Sequence, residues 1–123
     1  MVTGGRELAE QLLRDGLPGS GVVPTALVGF NDWCALGVLR AAAALGVRVP
    51  EQLSVIGFDG GGVADGTTPP LCSYSPRFID LGRQTATLLA TALRGRLEAP
   101  RRVHVPVEFI CRGSCGPAPS ERS

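Results

Sequence analysis

Twice in this chain a short, mainly apolar run ends on a polar residue. Residues 25–30 run into Asn31-Asp32, and residues 53–58 run into Asp59. Between them lies a helix-like stretch, residues 33–45, closed by Gly46. Short continuous apolar strands suit a sheet covered on both faces. Strand, helix and strand with short connections make the pattern of right-handed βαβ crossovers and a parallel sheet. In such sheets ligands bind outside the carboxyl ends of the strands. Asn31 and Asp59 are therefore expected side by side on one rim, offering an amide and a carboxylate to something rich in hydroxyls. A carboxylate accepting hydroxyl protons makes charged hydrogen bonds, the stronger kind.

The remaining chain extends the α/β pattern. Residues 6–15 place Leu8, Ala9, Leu12 and Leu13 on one helical face, ended by Gly16. Residues 18–24 form a Gly/Pro/Ser loop. The helix over 33–45 carries Arg40 as its only charge, so it must bury more than one face. One face packs on the sheet; the other needs a partner, a second subunit being one candidate. Asp32 is expected to cap this helix, leaving Asn31 for the ligand. A third extended run spans 71–75 and is broken by Pro76. Residues 79–94 predict an amphipathic helix with Leu81, Leu88, Leu89, Ala92 and Leu93 on its apolar side. Residues 102–112 predict a last strand, with Val103, Val105 and Val107 on one face and Pro106 marking an edge or a crossing. The domain is expected over 1–112, with a disordered tail over 113–123.

Composition excludes several classes. At 123 residues the chain is at most one domain, and with 5% aromatic residues its core must come from Leu, Val and Ala. Net charge is +1, every basic residue is Arg, and no basic stripe marks a nucleic-acid surface. No apolar run reaches the ~18 residues of a membrane span. The opening Met-Val-Thr-Gly-Gly is not a secretory signal, so the cytoplasm is expected. The four cysteines, Cys34, Cys72, Cys111 and Cys115, lack common zinc spacing and are expected as reduced, idle thiols. No metal and no cofactor is expected. Gly60-Gly61-Gly62 lacks the Lys-Ser/Thr ending of a phosphate loop and reads as a flexible turn. The single histidine, His104, has no nucleophile at recognisable spacing, and Ser73, Ser75 and Ser114 lie in no nucleophile elbow. An enzyme is not expected.

Several linked segments go further. Pro24-Thr25-Ala26 leads into Asn31-Asp32 and Ala35-Leu36-Gly37. Leu45-Gly46-Val47-Arg48-Val49-Pro50 and Leu53-Ser54-Val55-Ile56-Gly57-Phe58-Asp59 follow. Thr68-Pro69-Pro70-Leu71, Leu81-Gly82 and Arg112-Gly113-Ser114 complete the series. In this order, over about 6–117, they resemble the carboxyl-terminal part of LacI/GalR-type transcriptional regulators.

The resemblance implies a type I periplasmic-binding-protein-like subdomain of a sugar-responsive repressor, with an effector cleft between two α/β halves. It implies that Asn31 and Asp59 line that cleft, that 75–78 cross between halves, and that Phe78 lies near the ligand. The family often has a second acid where this chain has Gly60, and a polar residue where it has Pro76. The implied partners are a carbohydrate-like effector and a second copy in a homodimer, with DNA bound only through a domain absent here. The alternative is a fragment of a sugar-binding transport protein. The helix-turn-helix and nearly all of the amino-terminal half are missing, so a truncated frame or fragment is expected. The crossover helix over 79–94 would then lack its floor. Each uncovered Leu forfeits roughly 1.5–3 kcal/mol of burial, against a usual domain stability of about 5–15 kcal/mol. Marginal stability, or association through that helix, is the expectation.

Overall fold

The computed structural model describes residues 1–96 and 101–118. Its elements run α1 (Val2–Asp15), β1 (Ala26–Val28), α2 (Asp32–Ala44), β2 (Ser54–Phe58), α3 (Gly62–Asp65), β3 (Cys72–Ser75), α4 (Phe78–Leu93) and β4 (Glu108–Ile110). The four strands form one sheet in the order β1-β2-β3-β4. β1 and β2 are parallel, with Ala26 opposite Ser54 and Val28 opposite Ile56. β3 is parallel to β2, with Ile56 opposite Cys72. The doubly apolar strands and the helix between them thus build the parallel α/β sheet their pattern implies. β4 alone is antiparallel, and its Phe109 ring stacks obliquely on Tyr74 with centroids 4.9 Å apart.

The core is made of small and branched residues. Ala35, Val38, Leu39, Ala41 and Ala42 of α2 meet Leu53, Val55 and Leu71 under the sheet, with Ala9 of α1 on the far side. The second face of α2 is covered by α1 of the same chain, which removes the need for a second subunit there. Small residues let the two helices touch at their backbones. A methyl group on Gly37 would press on the Val2 carbonyl and lie 2.7 Å from the Arg6 nitrogen. The α1 face is less buried than its spacing implies: Ala9 is buried, but Leu8 is exposed because it borders an open apolar trough.

That trough, 360 Å³ in volume, runs along the free edge of β1 between Leu8, Leu12, Leu27, Val28, Phe30 and Val38. α4 buries none of its residues. Ile79 and Leu93 are each 79% exposed, so the apolar side of this helix has no cover among the described residues.

Four expectations need correction. The last strand is Glu108–Ile110 rather than 102–112. Val103 and Val107 are exposed, and Pro106 has no N–H to give to a ladder. The glycine run is more than a turn, because Gly62 opens the single helical turn α3. The chain is not disordered from residue 113. Ser114 is fully buried, its Oγ accepting from the Cys72 N–H at 2.7 Å and donating to the Val55 carbonyl at 2.6 Å. Arg112 anchors the same segment through the Leu71 carbonyl and Asp65, each at 2.8 Å. The end of the expected tail, 119–123, lies outside the described residues. The fourth correction concerns the head of α2.

Candidate functional site at the strand carboxyl ends

Because β1, β2 and β3 run the same way, their carboxyl ends open on one edge of the sheet. The ladder carries on past the strands: the Gly29 N–H reaches the Ile56 carbonyl at 2.7 Å, and the Asp59 N–H reaches the Tyr74 carbonyl at 2.9 Å. Three connections leave this edge, beginning at Phe30, Asp59 and Pro76.

The head of α2 reverses the assignment made from sequence. Asn31, not Asp32, is the N-cap: its Oδ1 accepts from the Cys34 N–H at 2.9 Å. Asp32 turns inward and is 1% exposed. Its Oδ1 accepts from the Ser73 hydroxyl at 2.6 Å, and its Oδ2 accepts from the Gly61 N–H at 2.9 Å. The Ser73 oxygen in turn accepts from the Gly60 N–H at 3.0 Å. One buried carboxylate therefore ties together the ends of all three parallel strands. Two hydrogen bonds and a place in the first turn of α2, where the helix dipole favours an anion, compensate its burial. The β2 backbone passes close beside it: a methyl group on Gly57 would collide with Asp32 Oδ1.

With its oxygen committed to the cap, Asn31 retains the amide N–H groups. Its Nδ2 donates to the Met1 thioether at 3.0 Å. Sulfur is a weak acceptor, and Met1 is itself exposed. A ligand hydroxyl would be the better partner. Asn31 thus caps the helix from a buried position at the first strand end, 9% exposed.

Asp59 stands at the end of β2 with φ 111, a left-handed conformation rare outside glycine. Strain of this kind persists only where surrounding structure enforces it. Here the ladder bond to Tyr74 before the side chain and the Gly60–Ser73 bond after it hold the turn. Among the described residues no hydrogen bond or ion pair occupies the Asp59 carboxylate. Phe78 opens α4 just beyond β3 and is 56% exposed. The preceding Arg77 is also left-handed, at φ 49, and pairs with Asp80 at 2.9 Å.

The structure thus brings Asn31 and Asp59 to adjoining strand ends and Phe78 to the next connection along the same edge. It adds Asp32 and Ser73, whose positioning role the sequence reading missed. The available signal was an Asx pair preceding an apolar helix, where one residue caps and the other is free for a different task. The trough beside β1 carries neither a carboxylate nor a side-chain amide to hold a polar ligand. Among the described residues no group of three or more His, Cys, Asp or Glu could hold a metal ion. No helix there is long and apolar enough to cross a membrane.

A parallel α/β half-domain presenting polar residues from successive strand ends is the architecture of periplasmic binding proteins and the regulators built on them. The chain belongs to the periplasmic binding protein-like domain family, whose model matches residues 2–115. Its curated relatives are transcriptional regulators with a helix-turn-helix. The regulator MalR of Streptomyces coelicolor is 38% identical over 100 residues, which is 80% of this chain and 28% of MalR. Solved structures of LacI-family regulators share the fold. The lac repressor dimer bound to operator and an anti-inducer, ONPF, superposes with a TM-score of 0.79 at 29% identity, over 93% of this chain and 38% of that one. A LacI-family regulator from Enterococcus faecium with bound ribose gives 0.76 at 26% identity, over 94% and 41%. The chain therefore spans little more than a quarter of the curated relative's length and about two fifths of each solved structure's chain. These relatives favour the regulator reading over the transport reading.

Proposed function

We propose that this chain forms one wall of the effector cleft of a LacI-type transcriptional regulator, with Asn31, Asp59 and Phe78 facing a carbohydrate-like effector. The observation that carries the reading is the shared direction of β1, β2 and β3, which brings these three residues to one edge of the sheet. The Asp59 carboxylate accepts hydroxyl protons, the Asn31 amide donates, and the Phe78 ring covers an apolar C–H face. This set suits a polyhydroxylated ring. An amide, one free acid and a ring make a set suited to holding a ligand.

In the whole regulator, the effector would bridge this wall and a facing one and stabilise one relative orientation. A homodimer would pass that choice to a DNA-binding part outside this chain, with a coupling of about 1–3 kcal/mol. Such a regulator works in the cytoplasm, beside its DNA. The ribose bound to the E. faecium relative supports a sugar as the ligand class.

A thermal-shift and calorimetric screen of pentoses, hexoses and disaccharides against the chain tests this. Saturable binding to some polyhydroxylated ligand is expected, weak because only one wall is present, near 1 mM or about −4 kcal/mol. Asp59→Ala should abolish it. Binding that ignores Asp59→Ala, no response to any sugar, or tight sequence-specific DNA binding by this chain in a gel shift would contradict the proposal.

A further inference from the structure

Two apolar faces of this chain lie open among the described residues, and their shapes match. The first is one side of the sheet. Leu27 and Val55, paired across β1 and β2, turn toward α2 and the core. Val28, Ile56 and Phe58 therefore turn to the other side, because successive residues of a strand alternate. The register carries that side across the sheet, since Phe58 lies opposite Tyr74 and Tyr74 opposite Phe109. Val28 is 73% exposed, and the three aromatic rings are exposed with it. The second face is the apolar side of α4, where Leu81, Leu89 and Leu93 are exposed. α4 leaves β3 through Pro76 and the left-handed Arg77 and buries none of its residues, so it does not pack on its own sheet.

We propose that two copies of this chain form a two-fold dimer in which α4 of each lies across the open sheet face of the other. An apolar helix stripe and an apolar sheet face each have to be buried against another element, and each copy supplies what the other lacks. The dimensions agree. From β1 to β4 the face spans three strand spacings, about 14 Å, and Leu81 to Leu93 spans about 18 Å of helix. One helix therefore reaches across all four strands. The charges agree as well: α4 carries none from Gln84 to Leu93, and none of Val28, Ile56, Phe58, Tyr74 and Phe109 is charged. The exchange is reciprocal, so it closes on two copies and leaves no apolar stripe for a third.

The exposed area is large enough to need such a partner. The chain exposes 8258 Å², whereas a compact monomer of 12.8 kDa exposes about 6300 Å². Grant the nine residues outside the described ones the full surface of an unfolded chain; the rest still exceeds a compact body of its own mass by about 900 Å². A standard interface buries about 800 Å² from each partner. The pairing needs no effector, so it stands or falls apart from the role of the rim in binding.

Sedimentation equilibrium of the full chain over the micromolar range tests the dimer, and a mass of twice 12.8 kDa is expected. NMR on an equimolar mixture of isotope-labelled and unlabelled chain then reports only contacts between copies. Cross-peaks are expected between the Leu89 and Leu93 methyl groups and the ring of Tyr74, the one tyrosine of the chain. Leu93→Glu and Tyr74→Glu should each give a monomer with unchanged far-ultraviolet circular dichroism, since both side chains are exposed. A chain that stays at 12.8 kDa would overturn the proposal and leave α4 for its own sheet or for a facing half of a longer regulator. Contacts only between the two α4 helices, or a dimer that survives either substitution, would overturn it too.

Discussion

The Ser73 hydroxyl donates to Oδ1 of Asp32 at 2.6 Å, a contact between residues 41 positions apart that locks β3 to the head of α2. The other Asp32 oxygen holds the Gly61 N–H, so the carboxylate sets the relative height of three strand ends. Replacing it with alanine leaves a buried hydroxyl and a backbone N–H without their acceptor. At about 1–3 kcal/mol for each unsatisfied group, Asp32→Ala should destabilise the chain by about 2–6 kcal/mol. Urea unfolding followed by circular dichroism measures it. A loss below about 0.5 kcal/mol, the usual size for surface changes, would show that the carboxylate is not structural.

Asp59 separates stability from function. A non-glycine residue in its left-handed conformation costs about 1–3 kcal/mol. Glycine relieves that strain but adds about 0.4–1 kcal/mol of unfolded-chain entropy. Asp59→Gly should therefore stabilise the chain by up to about 2 kcal/mol while abolishing its response to sugars. A destabilised variant in thermal unfolding would mean that the carboxylate makes a contact in the free protein.

Gly37 marks the closest approach of α1 and α2. Because the added methyl would meet backbone atoms rather than a movable side chain, Gly37→Ala must push the helices apart. Overpacking of this kind costs about 1–3 kcal/mol, more than the helix propensity of alanine returns. Chemical denaturation should show a net loss, and a gain would mean the helices are not in register as described.

Two thiols shifted in opposite directions, Cys72 and Cys115, give stability a maximum in pH. In the unfolded chain both thiols titrate at their ordinary value of 9.0. Between pH about 7 and 9 the folded Cys72 is ionised while the unfolded one still holds its proton, so stability rises with pH. Between pH 9 and about 12 the folded Cys115 keeps a proton that the unfolded chain has lost, so stability falls. The unfolding midpoint under reducing conditions should therefore peak near pH 9, and Cys115→Ser should remove the alkaline decline. A steady fall from pH 7 upward would contradict the hydrogen bonding that lowers the Cys72 thiol.

The central βαβ unit was legible because its signals are local and agree: apolar runs of strand length, a helix of thirteen residues stopped near Gly46, and polar strand ends. Asp59 was legible for the same reason. The roles of Asn31 and Asp32 were not, since both residue types cap helices. The choice rests on Ser73 and Gly61, which are distant in sequence. The alternating valines at 103, 105 and 107 imitate a strand, but Pro106 and the exposure of Val103 and Val107 leave only Glu108–Ile110 in the ladder. The order at Ser114 was hidden in a Gly/Ser/Pro-rich stretch because its partners, Val55 and Cys72, lie in other strands. The open face of α4 was foreseeable from its leucines once no partner segment was found for them.

The most direct test of the effector-wall reading is an NMR titration of the chain with the best sugar from the screen. Saturable amide shifts at residues 31, 57–61 and 75–78, lost together in Asp59→Ala, are the predicted result. Shifts confined to the apolar trough beside β1, with Asp59 and its neighbours unmoved, would contradict it.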